Sequence, residues 1–199
     1  MMWDERYRVD EYVYGTEPNA FLVAECERIP VGGRVLCLAE GEGRNGVFLA
    51  GRGYRVTGVD QSAVGLAKAE RLASERGVDL EVRAADLGAF DLGVGWSGIV
   101  SVFAHMAPEA RKRVHGQVRG ALVEGGVFIL EAYTVRQLGM PGKGGPPAGQ
   151  EALFMSLEEV RAELVGMGFE VGREVEREVN EGVMHRGLSA VVQVVAVAR

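Results

Sequence analysis

Cysteine and histidine are scarce in this chain of 199 residues. The two cysteines, Cys26 and Cys37, fall in a helical pattern and in a short apolar run, which indicates reduced thiols and a reducing compartment. The three histidines show no spacing typical of metal ligands, which argues against a metal site. No apolar run approaches the ~20 residues that cross a bilayer, so we expect no membrane-spanning segment.

Concentrated positive charge is also lacking. Lysine and arginine number 22 against 28 acidic residues, which gives a net charge of −6. Because nucleic-acid binding requires a concentrated basic surface, we expect no nucleic-acid partner. The N-terminus is charged and aromatic, unlike a signal peptide, so we expect a cytoplasmic protein. The length and a hydrophobic fraction of 47% predict one soluble domain, residues 1–199, with a full core.

The most informative stretch, residues 34–60, reads as strand, glycine turn, helix and strand. Apolar residues 35–38 are typical of a strand buried on both faces, and a short helix is predicted at 45–50. A second strand, 55–59, ends on Asp60. This order is typical of the first unit of a nucleotide-type cofactor fold, in which the helix N-terminus points at the ligand and the carboxylate reaches ribose hydroxyls.

The glycine turn carries an unusual charge. Gly41, Gly43 and Gly46 spell the G-x-G-x-x-G pattern of dinucleotide sites, but Glu40 and Glu42 lie inside it. A carboxylate about 4 Å from a phosphate costs on the order of several kcal/mol. S-adenosylmethionine (SAM) has an adenosine but no phosphate, and it carries a sulfonium and an ammonium. The turn therefore favours SAM, whose carboxylate the helix N-terminus or a neighbouring arginine could bind.

The motifs LCLAEGEGRNGVFLA and GYRVTGVDQS resemble those of the class I SAM-dependent methyltransferases. They are most similar to the branch related to tellurite-resistance and thiopurine methyltransferases, whose first motif often reads LDLGCGxGRN. Two positions depart from that pattern, since Cys37 stands where the family carries an acidic residue and Ala39 stands where it carries a glycine. Glu40 is the candidate to replace the missing carboxylate.

Apolar patterns and caps predict the remaining elements. Helices are expected at about 18–29, 62–76 and 108–123 and from Ser156, and strands at 79–84, 99–103, 127–132, 169–179 and 188–198. The last two strands are joined by a short turn and must be antiparallel. The predicted fold is α/β, a single Rossmann-like domain with helices on both faces of a seven-stranded, mostly parallel sheet that ends in an antiparallel hairpin. The resemblance implies the same arrangement.

The sequence also predicts the structure of three segments outside the sheet. Residues 1–30 are expected to form an N-terminal arm and the first helix. The arm, residues 1–16, is either loosely packed or a lid in which aromatic faces meet a cation, with Tyr14 touching the ligand. Residues 136–151, rich in glycine and proline, predict a lid loop. On the helix at 108–123, Arg111 and the other basic residues are expected to be solvated, and His115 to be structural or exposed.

The cofactor-binding candidates come from the arm and from the carboxyl ends of the first four strands. Asp86 is placed to accept from an adenine amino group, as the resemblance also implies. The full set is Tyr14, Ala39, Glu40, Gly41, Glu42, Gly43, Arg44, Asn45, Asp60, Gln61, Ser62, Ala85, Asp86, Leu87 and Phe103.

Few catalytic groups are expected, because methyl transfer depends mainly on alignment and on the exclusion of water. His105 follows the fourth strand and is a candidate base or orienter, although a structural role is equally open. His185 and Arg186 resemble a His-Arg pair that faces the acceptor in the tellurite-type enzymes. These three are the catalytic candidates, and Tyr133 joins the two histidines as a substrate-side candidate.

The acceptor is expected to be a small molecule, and the oligomeric state, monomer or homodimer, stays open. By analogy, the acceptor is a soft nucleophile: a thiol, a selenium or tellurium species, or a thiopurine-like ring sulfur. Two alternatives remain. A small NAD(P)-binding oxidoreductase is supported only by G-x-G-x-x-G and Asp60, and the chain lacks the Tyr-x-x-x-Lys pair of short-chain dehydrogenases. The other is a SAM-binding module without catalysis.

Overall fold

A computed structural model describes residues 2–199 and places seven strands in one mixed sheet. The strands are β1 (Arg34–Leu38), β2 (Arg55–Asp60), β3 (Glu81–Ala84), β4 (Trp96–Val102), β5 (Leu122–Tyr133), β6 (Met167–Asn180) and β7 (Arg186–Ala198). Their order is β3-β2-β1-β4-β5-β7-β6, with β7 antiparallel to both of its neighbours and the other pairs parallel. The predicted fold is confirmed. The order reverses at β1 and β4, where open sheets of this kind form a ligand crevice.

Six α-helices surround the sheet. They are α1 (Met2–Tyr7), α2 (Ala20–Glu25), α3 (Arg44–Gly51), α4 (Ala63–Arg76), α5 (Pro108–Ala121) and α6 (Leu157–Glu163), with short 3-10 turns between some of them. Local signals set several ends: Ser62 Oγ accepts from the backbone of Gly65 at 3.1 Å, and Gly77 ends α4 at φ 65°. Within residues 2–199, no helix is long and apolar enough to cross a bilayer.

The core lies on both faces of the central strands because alternate residues of a buried strand point in opposite directions. One cluster packs Leu36, Ile99 and Phe128 against α5 and α6. The other packs Val35 and Val100 against α2 and the 3-10 turn that follows it.

Several expectations outside the site are wrong. The helix expected at about 18–29 is α2, Ala20–Glu25, capped by Asn19, and β4 starts at Trp96 rather than 99. β5 starts at Leu122 rather than 127, because Gly125 and Gly126 form an irregularity inside the strand, between the Trp96–Leu122 and Gly98–Val127 pairs, rather than a turn before it. Arg111 is only 1% exposed rather than solvated, since its guanidinium bonds the Glu163 carboxylate at 2.9 Å. Glu163 comes from α6, which sequence periodicity in α5 could not reveal.

Gly43 is required by helix packing. It precedes α3 at φ 94°, and a Cβ built there would lie 2.6 Å from Ala69 Cα in α4. We predict that Gly43→Ala lowers the free energy of unfolding by about 2–4 kcal/mol, because it combines left-handed strain with a backbone clash. Denaturant titration would measure the loss. Gly116→Ala, in an open helical position of α5, is the matched control and should gain up to about 1 kcal/mol. Equal effects of the two changes would contradict this account.

Candidate active site

A cleft of about 590 Å³ opens at the carboxyl edge of the sheet, around the ends of β1, β2 and β4. This volume lies in the range of small-molecule sites. The arm before α2 covers one side, and residues 145–153 cover another. Twelve of the predicted cofactor residues line it: Tyr14, Ala39, Glu40, Gly41, Glu42, Arg44, Asn45, Asp60, Gln61, Asp86, Leu87 and Phe103.

The loop between β1 and α3, residues 39–43, is held by Asp60. The carboxylate of Asp60 accepts hydrogen bonds from the backbone N–H groups of Gly41 at 2.9 Å and Ser62 at 2.8 Å. Ala39 adopts φ 51°, a left-handed conformation that glycine adopts more easily, which accounts for the glycine expected at this position. Burial raises the pKa of Asp60, although these bonds favour the charged form. Asp60 thus fixes the loop while its carboxylate faces the cleft.

Glu40 turns into the protein rather than toward solvent. Its Oε1 accepts from the backbone of Gly46 at 2.7 Å, its carboxylate bonds the Cys37 thiol, and its side chain is 6% exposed. Gly58 leaves the space, since a Cβ there would lie 2.7 Å from Glu40 Cγ. The carboxylate of Glu40 therefore lies beside the strand position at which Cys37 replaces the acidic residue. Burial raises its pKa to about 7.

Glu42 is neutralised by a lysine that sequence reasoning missed. Lys68 Nζ contacts Glu42 Oε1 at 2.5 Å and donates to the carbonyls of Val9 at 2.9 Å and Glu11 at 2.7 Å. Glu42 Oε2 accepts from the backbone of Tyr14 at 3.1 Å. The pair forms a clasp, Lys68–Glu42, that fastens the arm to the cofactor loop. The sequence did contain a signal for this role, because Lys68 lies among the apolar residues of the buried face of α4.

The fastened arm brings aromatic rings over the loop. A Cβ at Gly41 would lie 2.8 Å from Tyr7 Oη, so only glycine leaves room for this ring. Tyr7 stacks with Trp3 at 5.9 Å and meets Tyr14 edge-on at 6.1 Å, and all three rings line the cleft. Arg6 also lines it and donates to Tyr14 Oη at 2.9 Å. The arm is packed as a cover rather than loosely.

A buried ionic cluster joins the cofactor loop to the β6–β7 hairpin. Glu181, 5% exposed, contacts Arg44 and Arg177, each at 2.7 Å. Arg177 also pairs with Glu131 of β5, which is fully buried. Asn19, the cap of α2, donates to both carboxylates. Arg44 is therefore committed to Glu181, although the sequence suggested it for a ligand carboxylate.

The far side of the cleft contains both candidate histidines. The Nδ1 of His105 lies 2.9 Å from the carbonyl of Leu153, and its Nε2 accepts from the backbone of Tyr133 at 3.3 Å. Burial lowers its pKa to about 4. Both ring nitrogens are thus used by the backbone, so the geometry supports the structural role and not the role of base.

His185 has different surroundings. Its ring packs against Tyr14 at 4.6 Å, Phe103 at 4.5 Å and Tyr133 at 5.5 Å. It is 9% exposed, lines the cleft, and has a buried Nδ1 without a hydrogen-bond partner. Burial, together with the positive charge of Arg44, lowers its pKa well below its usual value. His185 is therefore an uncharged imidazole among aromatic rings.

Five predicted residues do not line the cleft. Gly43 packs on α4, Ser62 caps it, and Ala85 continues the ladder by donating to the Asp60 carbonyl at 2.9 Å. Tyr133 lies behind Phe103, with ring centroids 4.5 Å apart. The exposed Arg186 pairs through its backbone with Lys143 and is absent from the cleft wall.

The 136–151 segment expected to be a lid contributes Gly145, Pro146, Pro147 and Gln150 to the cleft wall. Sequence reasoning missed Met106, Ala110 and Leu153, which also line it. The described residues hold no group of three or more His, Cys, Asp or Glu side chains that could bind a metal ion.

Known proteins resemble the chain in sequence and fold. Residues 35–126 match a family model described as a methyltransferase domain, whereas a search of curated proteins found no match. A structure solved in work on conversion of a disulfide bond into a thioacetal group during echinomycin biosynthesis matches with a TM-score of 0.77 and 20% identity, over 99% of this chain and 90% of the other.

Two further solved structures are similar in fold to this chain. TehB from Haemophilus influenzae gives a TM-score of 0.75 and 17% identity over 99% of this chain and 66% of its own. Magnesium protoporphyrin IX methyltransferase from Synechocystis PCC 6803 with bound SAM gives a TM-score of 0.63 and 18% identity, over 90% of this chain and 76% of its own. At these identities the likeness is one of fold, and the Rossmann-like methyltransferase fold is the one that the sequence predicts.

The raised pKa of Glu40 makes stability depend on pH. The pKa of Glu40 in the folded protein, about 7, exceeds the ordinary value of 4.5. The stability that Glu40 contributes is therefore fully present below pH 4.5 and is lost as pH rises through 7. We predict that Glu40→Gln gains up to about 3 kcal/mol relative to the wild type between pH 5 and 8. Urea titrations across that range measure the difference. A difference independent of pH would show that Glu40 is ionised throughout.

Removing the Lys68–Glu42 clasp should release the arm. We test Lys68→Met combined with Glu42→Gln, because a single change would leave a buried charge unpaired. Trypsin should then cleave after Arg8 about tenfold faster or more, since the bonds to three arm carbonyls are lost. Mass spectrometry reads the rate, and Lys112→Met on the exposed face of α5 is the control. Cleavage at the wild-type rate would disprove the role of the clasp.

Proposed function

We propose that this chain is a SAM-dependent methyltransferase that acts on a small-molecule acceptor. The observation that carries the proposal is the loop at 39–43, held by Asp60 at the switch point of a methyltransferase fold. The loop carries two carboxylates, and Arg44, which follows it at the start of α3, is paired with Glu181. The methyltransferase-domain match over residues 35–126 supports it. So do structural neighbours solved with bound SAM and with bound SAH (S-adenosylhomocysteine).

The cleft suits a cationic nucleoside. Asp60 and Gln61 would hold ribose hydroxyls, and Asp86 with Leu87 would hold the adenine. The faces of Tyr7 and Tyr14 attract positive charge such as a sulfonium. A pyrophosphate, in contrast, would meet Glu42. The cations next to the loop are already paired, since Arg44 contacts Glu181 and Lys68 contacts Glu42. These features favour SAM over NAD(P).

Bound SAM supplies a methyl group activated by its sulfonium. The chain's own residues then align the acceptor, exclude water and receive a proton. The arm and residues 145–150 cover the cleft, and Phe103, at φ 53°, lines it directly after the end of β4. A strained residue of this kind is typical of functional sites. The uncharged imidazole of His185 is the group available to take the proton.

The acceptor that fits this proposal is a soft nucleophile. Sulfur, selenium and tellurium nucleophiles need little base catalysis, which agrees with a single available histidine. The motif similarity to the tellurite-resistance and thiopurine branch supports the same class. A non-catalytic SAM-binding module remains the second candidate, since the commitment of His105 to backbone bonds leaves few catalytic groups.

Calorimetric titration of the full chain with SAM, SAH and NAD(H) tests the cofactor. We expect micromolar binding of SAM and SAH and none of NAD(H). Asp60→Asn should weaken SAH binding at least about tenfold, because a carboxylate that bonds both the loop and the ligand loses its charge. Asp91→Asn, at an exposed turn outside the cleft, is the control and should bind as wild type does. Binding of NAD(H) without SAH would overturn the proposal.

A further inference from the structure

Acidic side chains line the part of the cleft that surrounds the cofactor loop. They are Glu40, Glu42, Asp60 and Asp86, from the loops that follow β1, β2 and β3. Under the proposed function, such groups attract the sulfonium and the ammonium of SAM. The methionine part of SAM also ends in a carboxylate, which meets groups of its own sign in this part of the cleft. That carboxylate therefore requires a positively charged partner.

The two groups from which the sequence predicts this partner are already used by the protein. Arg44 is buried, and its guanidinium contacts the Glu181 carboxylate at 2.7 Å. At the N-terminus of α3, the backbone N–H of Gly46 donates to Glu40 Oε1 at 2.7 Å. A side-chain carboxylate thus already lies where the helix dipole would attract a ligand carboxylate.

Arg6 is the other arginine that lines the cleft. It lies on α1 in the arm, and within residues 2–199 its guanidinium forms no ion pair. Its Nη1 donates to Tyr14 Oη at 2.9 Å, and its Cζ lies 4.9 Å from the centroid of the Trp3 ring. These two neutral rings hold the guanidinium at the cleft wall without compensating its charge. The remaining N–H groups of the fork are available to a ligand.

Tyr14 connects Arg6 to both sides of the cleft. The backbone N–H of Tyr14 donates to Glu42 of the cofactor loop at 3.1 Å, and its ring lies 4.6 Å from the ring of His185. The pKa of His185 is lowered by burial first and then by Arg44, with a smaller contribution from Arg6, so the charge of Arg6 acts across the cleft. In SAM, a short carbon chain joins the sulfonium to the carboxylate. A cation beside both the cofactor loop and His185 therefore suits the methionine part.

We infer that Arg6 binds the carboxylate of the methionine part of SAM, so that the arm recognises the amino-acid end of the cofactor. This inference rests on the proposed function and adds a binding residue to it. A guanidinium can hold a carboxylate through two parallel hydrogen bonds, which are stronger than bonds between neutral groups. Because Arg6 belongs to the arm, the same contact holds the arm over the cleft.

A matched pair of ligands tests the inference. SAH and its decarboxylated analogue, 5′-deoxy-5′-(3-aminopropylthio)adenosine, share the adenosine, the thioether and the ammonium, and they differ in the carboxylate. In calorimetric titrations, we expect the wild type to bind SAH at least about tenfold more tightly than the analogue. In Arg6→Met, which keeps an unbranched apolar stem beside Trp3, this preference should fall below about threefold.

The control is Arg8→Met, at an exposed arginine of the arm that is absent from the cleft wall, and it should keep the full preference for SAH. The analogue also serves as a control for folding, since its affinity should be the same for Arg6→Met and the wild type. An unchanged preference in Arg6→Met would overturn the inference. A parallel loss of affinity for both ligands would overturn it too, because Arg6 would then act on the arm and not on the carboxylate.

A carboxylate near Arg6 could also come from an acidic acceptor, and benzoate distinguishes this source. Benzoate is titrated into the wild type and Arg6→Met, each saturated with SAH. We expect Arg6→Met to weaken the binding of SAH and not the binding of benzoate. Binding of benzoate that depends on Arg6, with the affinity for SAH unchanged, would assign Arg6 to the acceptor and overturn the inference.

Tryptic cleavage of the arm provides a second measurement. A ligand shifts the position of the arm only by its differential affinity for the covered and open forms. Saturating SAH should therefore slow cleavage after Arg8 in the wild type at least about threefold more than the saturating analogue does. The two ligands should protect Arg6→Met equally. Equal protection of the wild type by the two ligands would contradict the role of Arg6 in holding the arm.

The two proposals fail differently. Binding of SAH that does not depend on Arg6 overturns only the inference about the arm, whereas absence of SAH binding to the wild type overturns the proposed function and the inference together.

Discussion

The buried ionic cluster of Arg44, Glu131, Arg177 and Glu181 is the constraint that fixes the cofactor loop relative to the terminal hairpin. Two positive and two negative charges make it formally neutral, and Asn19 and Gln193 satisfy remaining oxygens. Desolvating such groups is costly, and removing one partner leaves an uncompensated buried charge. The cluster therefore contributes a defined position more than net stability. The Glu181 backbone also donates to the carbonyl of His185 at 2.8 Å, so the same residue holds the hairpin turn.

The glutamates of the glycine turn are satisfied by the protein and not by a ligand. Glu40 bonds the start of α3, and Glu42 bonds Lys68 and the arm. Sequence reasoning treated both as charges facing the cofactor, and the structure modifies that premise. Under the proposed function both still disfavour a pyrophosphate, because Glu40 already uses the backbone N–H of Gly46 in the first turn of α3 and Glu42 already uses Lys68.

The fold could be predicted from signals within a few residues of each other, whereas contacts between residues distant in sequence could not be predicted. The end of α4 at Gly77, the capping box at Ser156 and the strand run of β1 are encoded within a few residues. The site residues near Asp60 follow from the same local pattern. Lys68, Arg111 and Glu181 could not be assigned in this way. Their roles depend on partners distant in sequence, from 26 residues for Lys68–Glu42 to 162 residues for Glu181–Asn19, which the fold brings together. Arg186 is the opposite case: it is next to His185 in sequence, but its side chain points away from that residue because successive strand residues face opposite sides.

The contact between the arm and the hairpin links two sides of the cleft. Tyr14 is held through its backbone by Glu42 of the cofactor loop, and its ring lies 4.6 Å from His185 in the turn between β6 and β7. Lys68 fastens the arm that carries Tyr14, and Glu181 fastens the turn that carries His185. The arm that covers the cofactor loop and the imidazole of His185 therefore share one aromatic contact. Because Lys68 holds the arm and Glu181 holds the hairpin turn, this contact fixes the position of one side of the cleft relative to the other.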